Sequence, residues 1–188
     1  IGFSELQGKC NIVTDDQAGI AGGVDYLYSK GHRGLCLVSL TQDDGRQPAL
    51  ELKERSFLTK VAELGCKAGI LRLSKDGRRE AICRYLKEYP EYTAYFCLDD
   101  SLVFDAMDAI ESTGKRIPED ISLMGHGDDI EHQDRMRIPL DVISHQPVEI
   151  GRLAVQYLLE QINGKPVPQK VEVPNFLIKR KSVKDVSK

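Results

Sequence analysis

Apolar residues along this chain recur at two different spacings. Short continuous runs appear as CNIV (residues 10–13), LCLVSL (35–40), AGILRL (68–73), AYFCL (94–98) and ISLMG (121–125). Between them the apolar positions fall three or four residues apart: Ile20, Val24, Leu27 and Tyr28, then Leu50, Phe57, Val61 and Leu64. Ile82, Tyr85, Leu86 and Tyr89 repeat the pattern, as do Val103, Met107 and Ile110. The first spacing predicts buried strands, and the second predicts helices that bury one stripe. Local punctuation agrees. Asp15 and Asp16 open the first helix and Gly31 closes it after Lys30, while Pro147 starts a last helix through Ile150, Leu153, Ala154, Tyr157, Leu158 and Ile162 that stops at Asn163-Gly164. The glycine-rich GIAGG (19–23) lies inside a helical pattern rather than in a strand-to-helix turn, so it predicts close helix packing and not a phosphate cradle.

Strands and helices in strict alternation imply right-handed crossovers and a mostly parallel sheet covered on both faces. The expected class is therefore doubly wound α/β, in which ligands bind outside the carboxyl ends of the strands. Two strands end there on acidic pairs: AYFCLDD delivers Asp99-Asp100, and ISLMGHGDD delivers Asp128-Asp129 beside two glycines. The segment from Asp128 to Ile143 is polar and has no clean period, which fits an irregular crossing between lobes or a plain surface loop. The basic tail KRKSVKDVSK reads as a solvated end.

Composition narrows the class. The 188 residues suit one fairly large domain or two small lobes, and 41% hydrophobic with 29% charged residues is the balance of a soluble globular chain. No apolar run approaches the roughly 18 residues of a membrane span, and the N-terminal IGFSELQGKC has no secretory pattern. Five cysteines, at 10, 36, 66, 83 and 97, are odd in number and widely spaced, which favours a reducing cytoplasm. No Cys or His grouping has zinc spacing, so the expectation is no metal and no cofactor. A net charge of −3 gives no general attraction to nucleic acid.

The acidic strand ends admit three chemistries. Convergent carboxylates hold hard cations, as magnesium-binding receiver domains do at the same edge. Asp100 or Ser101 could simply cap the following helix. Carboxylates also accept strong hydrogen bonds from neighbouring hydroxyls of a polyol. A nucleophile has little support, because the chain has no G-x-S-x-G elbow and neither Ser39 nor Ser144 has a compelling His/Asp partner. His126 and His132 read as surface or supporting histidines. Nothing here demands an enzyme.

Several segments taken in order resemble lactose/galactose-repressor-type transcription regulators. VTDDQAGIAGGVDYLYSKGHRGLCLVS is similar to their D-N-x-x-G, helix, G-H-R and strand run. AYFCLDDSLVFDAMDAIESTGKRIPEDISLMGHGDD resembles their strand, N-D pair, helix, G-x-x-[IV]-P-[ED]-D-[IV]-S and glycine-flanked acidic turn. IPLDVISHQPVEIGRLAVQYLLEQINGK and VPNFLIKRKSV resemble their closing segments. The resemblance implies a two-lobed, periplasmic-binding-protein-like sensor, with one complete lobe and part of the second. It places a remnant of the N-terminal lobe at 1–31, the C-terminal lobe at 32–140, a return segment and helix at 141–165, and a final strand and tail at 166–188. It also implies that a DNA-reading helix-turn-helix domain is absent upstream.

The same resemblance implies an effector site made of Arg46, Gln47, Lys53, Asp99 and Asp128, a sugar or sugar phosphate as effector, a homodimer, operator DNA bound through the absent domain, and a cytoplasmic protein with no membrane partner. Lys53 stands where the family has Arg, with Arg55 the nearby alternative, and a lysine lacks the planar fork that clamps two oxygens. Gly127 occupies the first acidic place of the turn, with Asp128 following. Three other readings stay open: a solute-binding protein of a sugar transporter, a magnesium-dependent receiver-type domain, and a regulator answering to a protein corepressor.

Overall fold

A computed structural model of the chain describes residues 10–41, 48–127 and 136–187. Its elements alternate as the spacing predicts: β1 (Asn11–Thr14), α1 (Asp16–Ser29), β2 (Gly34–Leu40), α2 (Pro48–Glu63), β3 (Lys67–Leu73), α3 (Arg78–Glu88), β4 (Ala94–Cys97), α4 (Asp100–Ser112) and β5 (Ser122–His126). Then come β6 (Asp141–Ser144), α5 (Pro147–Ile162), β7 (Lys170–Val173) and β8 (Phe176–Ile178). Six strands form one sheet in the order β3-β2-β4-β5-β6-β8, parallel except for the antiparallel edge strand β8. β1 and β7 pair in parallel as a separate two-stranded sheet.

Period-2 burial divides the core. Cys36 and Val38 of β2, Tyr95 and Cys97 of β4, and Leu123 of β5 face one side, where Leu86 of α3 and Met107 and Ile110 of α4 cover them. Leu35, Leu37, Phe96 and Met124 face the other, against Ile20, Val24 and Leu27 of α1 and Phe57 and Val61 of α2. Helices on both faces of a mostly parallel sheet are the doubly wound α/β arrangement that the alternation implied.

The glycines of α1 serve close packing. A Cβ on Gly23 would stand 2.6 Å from the ring of Phe96, which is fully buried and has nowhere to move. Gly23→Ala is therefore expected to cost about 1–3 kcal/mol through overpacking. Chemical denaturation measures this, and an unchanged midpoint would show that the helix lies less tightly on the sheet than described.

Three expectations need correction. The end of the supposed irregular crossing is a strand: β6 is buried along its whole length and pairs with β5. Its partners supply the hydrogen bonds and cover that a sequence window cannot display. The tail is not merely solvated, because Ser182 is fully buried and its Oγ donates to the Leu123 carbonyl at 2.6 Å. Finally, α1 was assigned with the first-lobe remnant, but its apolar stripe packs on the six-stranded sheet beside α2, so the remnant's packing boundary falls at Asp15 rather than at residue 31.

α5 buries no residue. Val148, Val155, Leu158, Leu159 and Ile162 are all more than half exposed and form an uncovered apolar face, while Ile150, Leu153, Ala154 and Tyr157 of the predicted stripe are partly buried.

Candidate functional site

The chain passes between the two sheets three times: from β1 into α1 at Asp15, from β6 into α5 at His145-Gln146, and from β7 into β8 at Pro174-Asn175. Polar side chains tie these crossings together. Asn175 Nδ2 donates to the Asp15 carbonyl at 3.1 Å and lies 3.4 Å from Asp16 Oδ1. Gln146 Nε2 donates to the Pro174 carbonyl. Thr14 Oγ1 donates to Asp16 Oδ1 at 2.7 Å. Asp16 thus sits where the crossings meet, in the first turn of a helix whose N-cap is Asp15, the Asp15 side chain accepting from Ala18 N at 3.0 Å.

Lys53, in the second turn of α2, reaches this point, with its Nζ 3.1 Å from Asp16 Oδ2. The pair is shielded, at 15% and 10% side-chain exposure, so its Coulomb attraction is screened less than that of a surface pair. Next to it, Glu54 accepts from Ser39 Oγ at 2.9 Å and from the Arg72 guanidinium at 2.7 and 3.1 Å, which fixes the face that α2 turns to the sheet. Arg55 points elsewhere, into a shallow groove with Gln17, Ala21, Thr59 and Lys60.

Two histidines complete the cluster. His126 ends β5 and is 2% exposed, and His145 follows β6. His145 Nε2 lies 2.9 Å from His126 Nδ1, 3.3 Å from His126 Nε2 and 3.7 Å from Asp16 Oδ1. Burial, then the Lys53 charge and His145, push His126 down to about 2. Burial also lowers His145, with the Lys53 charge adding to it against the pull of Asp16. Burial works to raise the Asp16 carboxyl, yet the Lys53 ammonium and the Thr14 hydroxyl hold it below the usual carboxylate range. At neutral pH the cluster therefore holds one carboxylate, one ammonium and two neutral imidazoles.

His32, also lowered by burial, behaves like these two imidazoles. All three are neutral in the fold and take up a proton on unfolding once the pH is below about 6.5. The unfolded chain then binds more protons, so this contribution to stability is intact above about pH 6.5 and declines as the pH falls further. The thermal midpoint at pH 5 should lie below that at pH 7.5, whereas a flat profile between them would contradict the neutral assignments.

The acidic strand end at Asp99-Asp100 lies at the same edge. β4 and β5 are adjacent and parallel, so Asp99 and Gly127 follow neighbouring strands. Asp99 is exposed and its Oδ1 accepts from Ser101 N at 2.8 Å, which makes it the N-cap of α4, the role that the sequence offered to Asp100 or Ser101. Asp99→Ala should cost about 1 kcal/mol of stability while Asp99→Asn, an equally good cap, costs little. Equal losses in thermal unfolding would show that the charge rather than the cap matters. A Cβ on Gly127 would stand 3.1 Å from the Asp100 carboxylate, and its φ of +137° is one that residues with side chains rarely adopt. The missing acid at 127 is thus accompanied by a carboxylate approaching from α4.

Of the five expected site residues, Lys53 and Asp99 fall at this edge, and Arg46, Gln47 and Asp128 lie outside the described residues. Asp16, His126 and His145 were missed as a group, because they come from three separate segments and only the fold assembles them. The one available signal was that Asp16 and His145 each border a predicted element at the same end of the sheet.

This architecture, two sheets joined by three crossings with polar groups gathered where they pass, defines a periplasmic binding protein-like domain. The chain belongs to that family, whose model matches residues 24–183. It is 44% identical over 72 residues to the ribose operon repressor of Haemophilus influenzae, covering 38% of this chain and 21% of that protein. It is 37% identical over 111 residues to the HTH-type transcriptional repressor PurR of Haemophilus influenzae, covering 57% of this chain and 33% of that protein. The chain therefore spans a third or less of the length of these curated relatives. Among solved structures, a LacI family transcriptional regulator from Bifidobacterium animalis subsp. lactis superposes with a TM-score of 0.83 at 26% identity, covering 96% of this chain and 66% of that one. A LacI family regulator from Enterococcus faecium with bound ribose shares the fold at a TM-score of 0.79 and 23% identity, covering 97% of this chain and 68% of that one. Among the described residues, no helix is long and apolar enough to cross a membrane.

Proposed function

We propose that the chain is the effector-binding portion of a bacterial transcriptional repressor, with a sugar or sugar phosphate as effector and operator DNA bound by a separate helix-turn-helix domain. The observation that carries this reading is the Lys53–Asp16 pair beside the three crossings, with Asp99 and Asp100 at the same edge of the sheet. Lysine donates to hydroxyl or phosphate oxygens and carboxylates accept from hydroxyls, so the edge presents both halves of polyol recognition. The ribose operon repressor and the ribose-bound neighbour support a sugar as ligand, and both repressor relatives support the regulatory role. The protein is read as cytoplasmic and non-enzymatic. Its five cysteines are free, with Cys36 and Cys97 serving as core residues of β2 and β4.

Closing two lobes on an effector shifts a pre-existing equilibrium, and the shift reaches DNA as a coupling of about 1–3 kcal/mol, or roughly 5- to 150-fold in operator affinity. Reciprocity requires that operator DNA alter effector affinity by the same factor. The uncovered face of α5 is read as the side on which further residues of the first lobe pack, and the active species as a homodimer. Fluorescence anisotropy of the full-length protein on its own promoter DNA, with ribose, ribose 5-phosphate and a wider sugar panel, tests the proposal. A change of at least fivefold with one sugar is expected. No change with any of them would overturn the sugar reading and leave a protein corepressor as the favoured regulator.

A further inference from the structure

We infer that Asp16, His126 and His145 form a binding site for a single first-row divalent cation of the zinc type, at the junction of the three crossings. One donor atom from each residue lies within 4.8 Å of the other two. Bonds of about 2.0–2.2 Å in a tetrahedral site place ligand atoms roughly 3.3–3.5 Å apart. The separations of 3.3 Å between the two histidine Nε2 atoms and 3.7 Å from His145 Nε2 to Asp16 Oδ1 approximate that spacing, and with every donor pair within 4.8 Å, side-chain rotation closes the rest. Two imidazoles and one carboxylate with a fourth position open form a ligand set used by zinc and by other first-row ions.

The surroundings orient the carboxylate. Thr14 Oγ1 and Asn175 Nδ2 approach Oδ1, and Lys53 holds Oδ2, which fixes the plane of the carboxylate; an ion at Oδ1 would displace the long contact from Asn175. Such outer partners commonly tune affinity about 10- to 100-fold. Here Lys53 acts in both directions, because it positions Asp16 but places a positive charge beside the incoming cation. The competing arrangement is a plain hydrogen bond between the two imidazoles, which the 2.9 Å contact from His145 Nε2 to His126 Nδ1 would equally make. A bound ion would link the start of α1, the end of β5 and the β6 crossing, and would present its open position toward the edge assigned to the effector. The inference stands on these donors alone and does not depend on the effector being a sugar.

The test uses chelator-treated full-length protein, titrated with Zn²⁺ by calorimetry and with Co²⁺ by visible absorption. One ion per chain is expected, with cobalt d–d bands in the visible and no thiolate-to-cobalt charge-transfer band. His145, at 31% side-chain exposure, is the less buried of the two histidines, and His145→Ala should lose at least tenfold in affinity. Asp16→Asn, which keeps the side-chain shape, should lose at least as much, and Lys53→Met should gain. Absence of stoichiometric binding would overturn the inference. So would a thiolate band, which would move the ion to the cysteines, or affinity unchanged in both His145→Ala and Asp16→Asn.

Discussion

Replacing Asp141 with alanine should destabilise the chain by roughly 3–5 kcal/mol, because it leaves several buried donors unsatisfied at about 1–3 kcal/mol each. The Asp141 side chain is almost wholly buried, at 1% exposure for the residue. Its Oδ1 accepts from Tyr26 Oη at 2.8 Å and from Arg180 N at 3.0 Å. Its Oδ2 accepts from Ser182 N at 2.7 Å and Val183 N at 3.2 Å, and Ser182 Oγ, whose proton goes to the nearer Leu123 carbonyl, lies 3.0 Å away. One carboxylate therefore joins α1, β6 and the C-terminal segment, and alanine would leave several donors without an acceptor in a site closed to water. For a chain of this size the loss corresponds to a fall of about 10 °C in the thermal midpoint. A loss below about 1 kcal/mol in urea denaturation would mean that the segment around Ser182 is not held as described.

The second large effect concerns ligand binding and rests on the proposed function. Lys53→Ala in the full-length protein should weaken effector binding by about 1.5–3 kcal/mol, or roughly 10- to 150-fold, because a charge-assisted donor is lost from the edge. Removing the ammonium also leaves the shielded Asp16 carboxylate without its counter-charge. Lys53→Arg is the informative companion. A guanidinium keeps the charge and adds a planar fork, so it should retain binding and discriminate differently between sugars and sugar phosphates. If Lys53→Ala binds effector as tightly as the wild type, the ligand does not approach this side chain.

The sequence disclosed the fold further than it disclosed the site. Continuous apolar runs such as LCLVSL and AYFCL became central strands because their neighbours on both faces are helices with matching apolar stripes, and nothing in the chain contradicted that pattern. β6 escaped because four residues beginning with an aspartate and ending with a serine carry too little periodicity, and Asp141 looks polar until Tyr26 and the segment around Ser182 satisfy it. The tail misled through its charge: Lys181 and Lys184 are exposed while Ser182 between them is buried. The Asp16, His126 and His145 cluster left only a faint signal because its members approach only after three crossings are in place. Lys53 was found by resemblance, but its partner Asp16 belongs to α1, and no spacing rule connects the two.

The account depends most on the edge shared by Lys53, Asp16 and Asp99 being where effector binds. Its most direct test is the thermal midpoint of the full-length wild-type protein and of Lys53→Ala across a panel of sugars and sugar phosphates. A cognate ligand at about 100 times its Kd should add about 2.7 kcal/mol of stability to the wild type and much less to the variant at the same concentration. Equal stabilisation of both proteins, or none of the wild type by any member of the panel, would contradict the account.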